Sequence, residues 1–283
     1  MIRLLAAALA LAACATTSAP EPHPAAPTST TADKIHKIAV RQAYPAFEPD
    51  EVTLNALNDQ GTTEISEILT ALGLNDRIEY VTYASMEQRA KEQPDTQNTE
   101  LSLDGTIATI TPGPFNAQSP ATIKAKVAKA LDQGAEHLII DLRDHQGGLL
   151  DSAISIANFF VSGGPLGSYR SRERADPRIY IAELGDILDG KPIAVLINEK
   201  TATGAEFVAL ALRSRRDALL VGKTSFGEAG IKTVRPLGLE GDILLIRTGE
   251  LLGPGGESWQ GSGLTPDIES DDAATAARAA LLR

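Results

Sequence analysis

The segment HLIIDLRDHQGGLL, residues 137–150, gives the strongest indication of the fold. Its apolar run, which continues to Leu142, is typical of a strand buried inside a protein. Gly147 and Gly148 follow, and two adjacent glycines permit the positive φ angles and the close backbone approach of a tight turn. A helical pattern begins at Leu149. The segment therefore predicts a strand, a glycine turn and a helix in direct succession.

The same alternation continues on both sides of this segment. Strand and helix patterns that follow one another in this way predict parallel βαβ units. The further elements are the extended GTIATITP (105–112), a helix through Ile123, Val127, Ala130 and Leu131, a helix through Leu150, Ile154 and Phe160, the strand PIAVLIN (192–198), a helix over 207–212 and the strand ALLVG (218–222). We expect a single α/β core over residues 99–270.

The regions before and after this core have other patterns. Residues 33–98 contain mostly helical periodicity, as in TEISEILTALGL, and predict a small helical N-terminal segment. Residues 271–283 predict a C-terminal helix.

The N-terminus has the features of a bacterial lipoprotein. Residues 1–13 form a short apolar signal, and the chain's only cysteine, Cys14, follows Leu11-Ala12-Ala13 in a pattern that resembles a lipobox. Residues 14–32, rich in Ala, Pro, Thr and Ser, predict a disordered tether. We therefore expect lipidation at Cys14 and a body held in the cell envelope, at the outer membrane facing the periplasm. The alternative is an ordinary signal peptide with an incidental cysteine.

Charge and motif content exclude several functions. The formal net charge is −11, and removal of residues 1–13 takes away one arginine and no acid, so nucleic-acid binding is disfavoured. No His/Cys ligand cluster, P-loop or dinucleotide fingerprint is present in the sequence, so we expect neither a metal nor an organic cofactor.

A second loop-to-helix junction lies in TATGAEFVALALR, residues 201–213. Thr203 and Glu206 have the spacing of a capping box, in which each side chain satisfies a free backbone N–H of the helix start. Thr203 also has the hydroxyl of a nucleophile. The N–H groups of Gly147 and Gly148, at the other helix start, are candidates to hold an oxyanion, although the local sequence by itself favours a plain tight turn.

Four segments resemble, in order, the motifs of the C-terminal processing, or tail-specific, serine peptidases: IDLRDHQGGLLDSA (140–153), INEKTATGAEFVALAL (197–212), VGKTSFGEAGIKTV (221–234) and QGSGLTPDIE (260–269). The first is similar to the family's Asp-Leu-Arg-x-Asn-x-Gly-Gly turn. The resemblance implies a crotonase-like or ClpP-like spiral of βαβ units and a site that binds extended peptides or protein C-termini beside Gly147, Gly148 and Gly204. Many members place a peptide-binding PDZ module between the helical segment and the core; we expect none at that place here, because the two segments follow each other directly.

The resemblance breaks down at the reacting groups. Thr203 stands where the family has its nucleophilic serine, and Glu228 stands where it has its general-base lysine. A carboxylate with an ordinary pKa of about 4.3 is a much weaker base than a neutral amine. Lys232, at a supporting position, is either a substitute base or the ion-pair partner of Glu228. His145 is the one histidine that could border the pocket.

These departures favour a peptide-binding protein that cleaves weakly or not at all, with Thr203 acting as a helix cap. The alternatives are an active peptidase that uses Thr203 as its nucleophile, and an acyl-group enzyme of the wider crotonase-like fold that uses the same glycine N–H groups.

Overall fold

A computed structural model describes residues 30–48, 50–92, 98–174, 176–237 and 241–283. The helices within these ranges are α1 (Thr31–Gln42), α2 (Glu51–Asp59), α3 (Ile65–Ala71), α4 (Tyr83–Glu92), α5 (Ser119–Asp132), α6 (Leu150–Phe160), α7 (Gly204–Arg216) and α8 (Ala273–Leu281). The strands are β1 (Ile78–Val81), β2 (Glu100–Asp104), β3 (Ile107–Thr111), β4 (His137–Asp141), β5 (Gly164–Ser171), β6 (Arg178–Ala182), β7 (Ile193–Ile197), β8 (Leu219–Gly222), β9 (Gly230–Pro236), β10 (Ile243–Leu252) and β11 (Ile268–Glu269).

The core sheet has the strand order β11-β8-β7-β4-β3-β2. Its pairs from β11 to β3 are parallel, and only β2 runs antiparallel to its neighbour. Helices α5, α6 and α7 connect successive strands of this sheet. The α/β class with consecutive βαβ units, predicted from the sequence, is confirmed.

Apolar residues on both faces bury this sheet. Leu138 and Ile140 belong to the main hydrophobic cluster, whereas Ile139 between them belongs to a second cluster that includes Ala277 and Leu281 of α8. Such two-sided burial explains why the parallel strands appear in the sequence as continuous apolar runs rather than alternating ones. Residues 271–283, predicted as a C-terminal helix, contain α8.

A second sheet, which is antiparallel, was not predicted. It has the order β1-β10-β5-β6, and β9 pairs with β10 as well. Strand β1 lies inside the segment 33–98, for which the sequence predicted a helical segment and no strand. Ile78 and Val81 of β1 are buried, and the strand pairs with residues 243–246 of β10, so a distant partner determines its conformation.

Helices α1 and α3 pack against this antiparallel sheet. Ile35, Ile68 and Leu74 form a separate apolar cluster with Leu244 and Ile246 of β10. The N-terminal segment is thereby attached to β10, which continues along the chain to Leu252 and pairs there with β5.

Candidate active site

Three loops meet at one edge of the core sheet. The loops follow β4, β7 and β8, which are adjacent parallel strands, so their carboxyl ends lie side by side. In open α/β sheets, this edge is where ligands bind. The loops hold the glycine turn (144–149), the start of α7 and the segment 223–229. The topology thus brings together the three motifs that the sequence singled out.

Thr203 has an unusual backbone conformation. It is the N-cap of α7 with φ 53° and ψ −116°. Positive φ is a genuine outlier for a β-branched residue, and strain of this kind clusters at functional sites. Its hydroxyl donates a hydrogen bond to the carbonyl oxygen of Gln146 at 2.8 Å. The start of α7 is therefore directly attached to the glycine turn.

The glycine turn packs against Thr203 so closely that side chains are excluded. A Cβ atom at Gly147 would lie 2.0 Å from Thr203 Oγ1 and 2.7 Å from the backbone nitrogen of Gly204. A Cβ atom at Gly148, where φ is 139°, would lie 2.2 Å from the carbonyl oxygen of Phe115. That oxygen already accepts a hydrogen bond from the Leu149 N–H at 2.8 Å.

Two N–H groups of this surface are free. Among the described residues, the backbone N–H groups of Gly148 and Gly204 have no protein acceptor. The N–H of Gly147 instead donates to Nδ1 of His145 at 3.0 Å. Gly148 and Gly204 are therefore the candidate oxyanion donors, and Gly147 contributes close packing rather than its N–H.

Glu206 connects the start of α7 to the loop after β8. Its side chain is completely buried, and it accepts hydrogen bonds from the backbone N–H of Thr203, as predicted for a capping box, at 2.9 Å. The same carboxylate accepts hydrogen bonds from the hydroxyl of Ser225 and from the N–H groups of Gly227 and Glu228. One buried carboxylate thus fixes the backbone of Thr203 relative to that of Glu228.

The side chain of Glu228 is held by other groups of the antiparallel sheet. Its Oε1 accepts a hydrogen bond from the Gly230 N–H at 2.9 Å and lies 3.4 Å from Nη2 of Arg247, on β10. Both side chains are less than 20% exposed, at 19% for Glu228 and 17% for Arg247. A partly buried arginine therefore compensates the carboxylate that stands at the position of a lysine.

Lys232 lies farther out, on β9. Its Nζ is 3.9 Å from Oε2 of Glu228 and 3.7 Å from Oε2 of Glu79, and its side chain is 42% exposed. These groups line an open cleft of about 280 Å³ together with Arg247 and the segment 75–78. Of the two roles that the sequence left open for Lys232, the geometry corresponds to the ion pair.

No base lies next to the Thr203 hydroxyl. Within the part of the chain that the structure describes, the hydroxyl donates to the Gln146 carbonyl, and neither Glu228 nor Lys232 is within hydrogen-bond distance of it. His145 is not a base for it either, because Nε2 faces the carbonyl oxygen of Gly113 at 3.0 Å and Nδ1 accepts from Gly147. A general base must reach the proton that it removes. The site therefore has a positioned hydroxyl and free N–H donors, but no group placed to activate the hydroxyl.

The family model for peptidase family S41 matches residues 77–270. The chain belongs to peptidase family S41. The match covers the core sheet, the three loops and the antiparallel sheet, so the resemblance seen in the four motifs extends over the whole site.

Curated S41 relatives are longer than this chain. A carboxy-terminal-processing protease of Bartonella bacilliformis is 42% identical over 148 residues, which are 52% of this chain and 34% of the relative. A probable CtpA-like serine protease of Staphylococcus epidermidis is 28% identical over 65% of this chain and 38% of its own length. The chain thus spans little more than a third of these relatives.

Solved structures confirm the fold. The photosystem II D1 C-terminal processing protease superposes with a TM-score of 0.53 at 26% identity, over 60% of this chain and 44% of that chain. A lipoprotein from Streptococcus agalactiae superposes with a TM-score of 0.68 over 93% of this chain and 99% of its own, at 14% identity. The latter likeness shows the shared fold alone.

Two features of this S41 site were not recognised from sequence. Arg247 was missed as the partner of Glu228, although a cation within the apolar run ILLIRTGELL of β10 was a usable signal. Glu206 was recognised only as half of a cap, because its bonds to Ser225, Gly227 and Glu228 depend on the tertiary arrangement of two loops.

The predicted lipidation site, Cys14, and the signal peptide (1–13) lie outside the described residues, as does nearly all of the predicted tether (14–32). Within the described ranges, no helix is long and apolar enough to cross a membrane.

Proposed function

We propose that this S41-family chain binds extended peptides or protein C-termini in the bacterial cell envelope and cleaves them weakly or not at all. The observation that carries the proposal is the environment of Glu228. The residue at the family's base position is a carboxylate held by Arg247 and the Gly230 N–H, and it makes no hydrogen bond with Thr203. A carboxylate that is paired with an arginine and does not contact the Thr203 hydroxyl is not placed to take the proton of that hydroxyl.

Peptide binding needs hydrogen-bond donors and apolar contact surface but no general base, and two features of the site support it. The free N–H groups of Gly148 and Gly204 can donate to a carbonyl or a terminal carboxylate of a bound peptide. Leu149 and Phe226, which are exposed and belong to two of the three site loops, offer apolar surface to its side chains. Exposed apolar groups around a polar site are typical of ligand-binding surfaces.

A second candidate, an active peptidase that uses Thr203, is favoured by one observation. The positive φ of Thr203 is a strained conformation that a simple helix cap does not require. A threonine held in this way, next to two free N–H donors, retains part of the arrangement needed for acyl transfer.

Binding is tested with fluorescein-labelled ten-residue peptides of mixed sequence, made with free C-termini and, separately, with amidated C-termini. We expect purified mature protein to raise the fluorescence anisotropy of the free-carboxylate mixture. If extended backbone alone is recognised, the amidated mixture binds equally. The proposal is contradicted if neither mixture shows a rise in anisotropy at protein concentrations well above the dissociation constant of a stable complex.

Membrane attachment through Cys14 is the second part of the proposal, supported by the lipobox-like Leu11-Ala12-Ala13-Cys14. The multiple acyl chains of a mature lipoprotein anchor firmly, whereas a single chain binds marginally. We expect wild type to fractionate with outer membranes and Cys14→Ser to be released or retained as an unprocessed precursor. Unchanged outer-membrane attachment of Cys14→Ser would contradict it.

A further inference from the structure

His145 occupies the position of the asparagine in the Asp-Leu-Arg-x-Asn-x-Gly-Gly turn of the family. Its ring is buried, with 7% of the residue exposed, and it packs on Phe115 with a centroid distance of 4.3 Å. Both ring nitrogens have partners, since Nε2 lies 3.0 Å from the carbonyl oxygen of Gly113 and Nδ1 lies 3.0 Å from the backbone nitrogen of Gly147.

These two partners fix the protonation state of the ring. The Gly147 backbone group is a donor, so Nδ1 accepts with its lone pair. The Gly113 carbonyl is an acceptor, so Nε2 carries the hydrogen. The arrangement is satisfied only by the neutral Nε2-protonated imidazole. A second proton, on Nδ1, would point directly at the N–H of Gly147.

Among the described residues, no charged side chain is placed to stabilise the imidazolium form of the ring. The neighbouring Asp144 carboxylate faces Asn198 and, at 3.3 Å, Lys200, and the Arg143 guanidinium lies against Asp141. Glu206, on α7, is bound to Thr203 and to the loop after β8. Burial therefore lowers the pKa of His145, although the hydrogen bond to Gly113 partly opposes this shift.

A single peptide unit connects His145 to Thr203. The Gly147 N–H that donates to His145 and the Gln146 C=O that accepts from the Thr203 hydroxyl belong to the same planar amide. Because the unit is planar, rotating its N–H away from the ring also rotates its C=O away from Thr203.

We propose that His145 is a positioning residue that controls the Thr203 hydroxyl through the peptide bond between Gln146 and Gly147. In the neutral state, the ring holds this amide, and the hydroxyl stays bound to Gln146. Protonation of Nδ1 expels the Gly147 N–H, turns the amide and releases the hydroxyl, while the Gly147 N–H becomes available to a ligand. The site therefore changes its hydrogen-bonding surface when the His145 ring becomes protonated.

The inference adds regulation to the peptide-binding site and depends on the proposed function only for its biological meaning. Its test needs no peptide, so failure of peptide binding and failure of this coupling are distinguishable. The test uses nuclear magnetic resonance of mature protein labelled with ¹⁵N and with ¹³C in the threonine methyl groups.

At pH 7.5, we expect a scalar coupling across the hydrogen bond between the nitrogen of Gly147 and Nδ1 of His145, and ring ¹⁵N shifts of the Nε2-protonated tautomer. On acidification, the Thr203 methyl resonance should shift with the same midpoint as the His145 ring. In His145→Asn, this titration of the Thr203 methyl should disappear. In the control His137→Asn, which changes a histidine at the start of β4, it should remain.

Three spectroscopic results would overturn the proposal. These are the Nδ1-protonated tautomer at pH 7.5, a Thr203 methyl resonance that does not follow the ring, or a methyl titration that survives in His145→Asn. Unfolding of the chain before His145 titrates would equally overturn it, because the switch requires a folded protonated state.

Discussion

Replacing Gly148 with alanine tests the geometry of the site by a substitution of one methyl group. At φ 139°, an alanine is strained by about 1–3 kcal/mol, irrespective of its surroundings. Its Cβ would also lie 2.2 Å from the Phe115 carbonyl oxygen, so the turn must move. This movement disturbs the bonds from the Phe115 N–H to Gly147, at 2.9 Å, and from the Leu149 N–H to Phe115, at 2.8 Å. Each contributes about 0.5–1.5 kcal/mol.

The sum is a loss of about 4 kcal/mol in the free energy of unfolding, with Gly148→Ala melting roughly 8–16 °C below wild type. The matched control is Gly185→Ala, where φ is 118° and a Cβ atom would meet nothing within 4 Å. The control retains the conformational strain without the clash, so it should lose about 2 kcal/mol less.

Urea unfolding followed by circular dichroism measures both variants. The peptide anisotropy assay on folded protein then shows whether the displaced Gly148 N–H also weakens binding. Equal losses of stability in Gly148→Ala and Gly185→Ala would refute the reasoning, because the approach of Phe115 would then have no energetic consequence.

Three further predictions concern the groups around Thr203. Glu206→Gln should destabilise the fold by about 2–3 kcal/mol, because an amide cannot accept from all four donors now bound to this buried carboxylate. In urea unfolding, the control Glu199→Gln, at an exposed position, should change stability little, and equal effects of the two substitutions would contradict the role of Glu206. Because the pKa of His145 is lowered in the folded state, its contribution to stability is complete above pH 6.5 and decreases as the pH falls below it, by up to about 1.4 kcal/mol per pH unit. Urea unfolding at pH 7.5 and 5.5 should show this loss of stability in wild type relative to His145→Asn. An equal change in the free energy of unfolding in both proteins would contradict it. Thr203→Ser with Glu228→Lys should cleave an unstructured protein far better than either single variant, because nucleophile and base act as a unit and the nearby Arg247 charge favours the neutral amine of the new lysine. A double variant that cleaves no better than the single variants would show that further catalytic groups are missing.

The parallel core was predictable because its elements have local signatures. Strands such as β4 and β7 are continuous apolar runs, and Gly147 and Gly148 mark the turn between β4 and α6. The antiparallel sheet was missed because β1 and β9 are short or largely exposed and are specified by pairing with β10, which is far from β1 in the sequence.

Sequence spacing predicted which residues belong to the site but not the contacts between them. Thr203 and Glu206 were recognisable as a cap from a spacing of three residues. Three contacts depend on the folded chain and cannot be seen in the sequence. They are the hydrogen bond between Thr203 and Gln146, the ion pair of Glu228 with Arg247, and the hydrogen bond from the Gly147 N–H to His145. The sequence therefore left two roles open for Lys232, and its position beside Glu79 and Glu228 corresponds to the ion pair.

Mass spectrometry of an unstructured protein incubated with purified mature chain tests the central claim most directly. Wild type and Thr203→Ala are compared at equal concentration, and new peptide termini are counted over time. Since no base lies beside the Thr203 hydroxyl in the described ranges, we predict that wild type produces no more termini than Thr203→Ala. Abundant cleavage by wild type that disappears in Thr203→Ala would contradict the account and identify Thr203 as a working nucleophile.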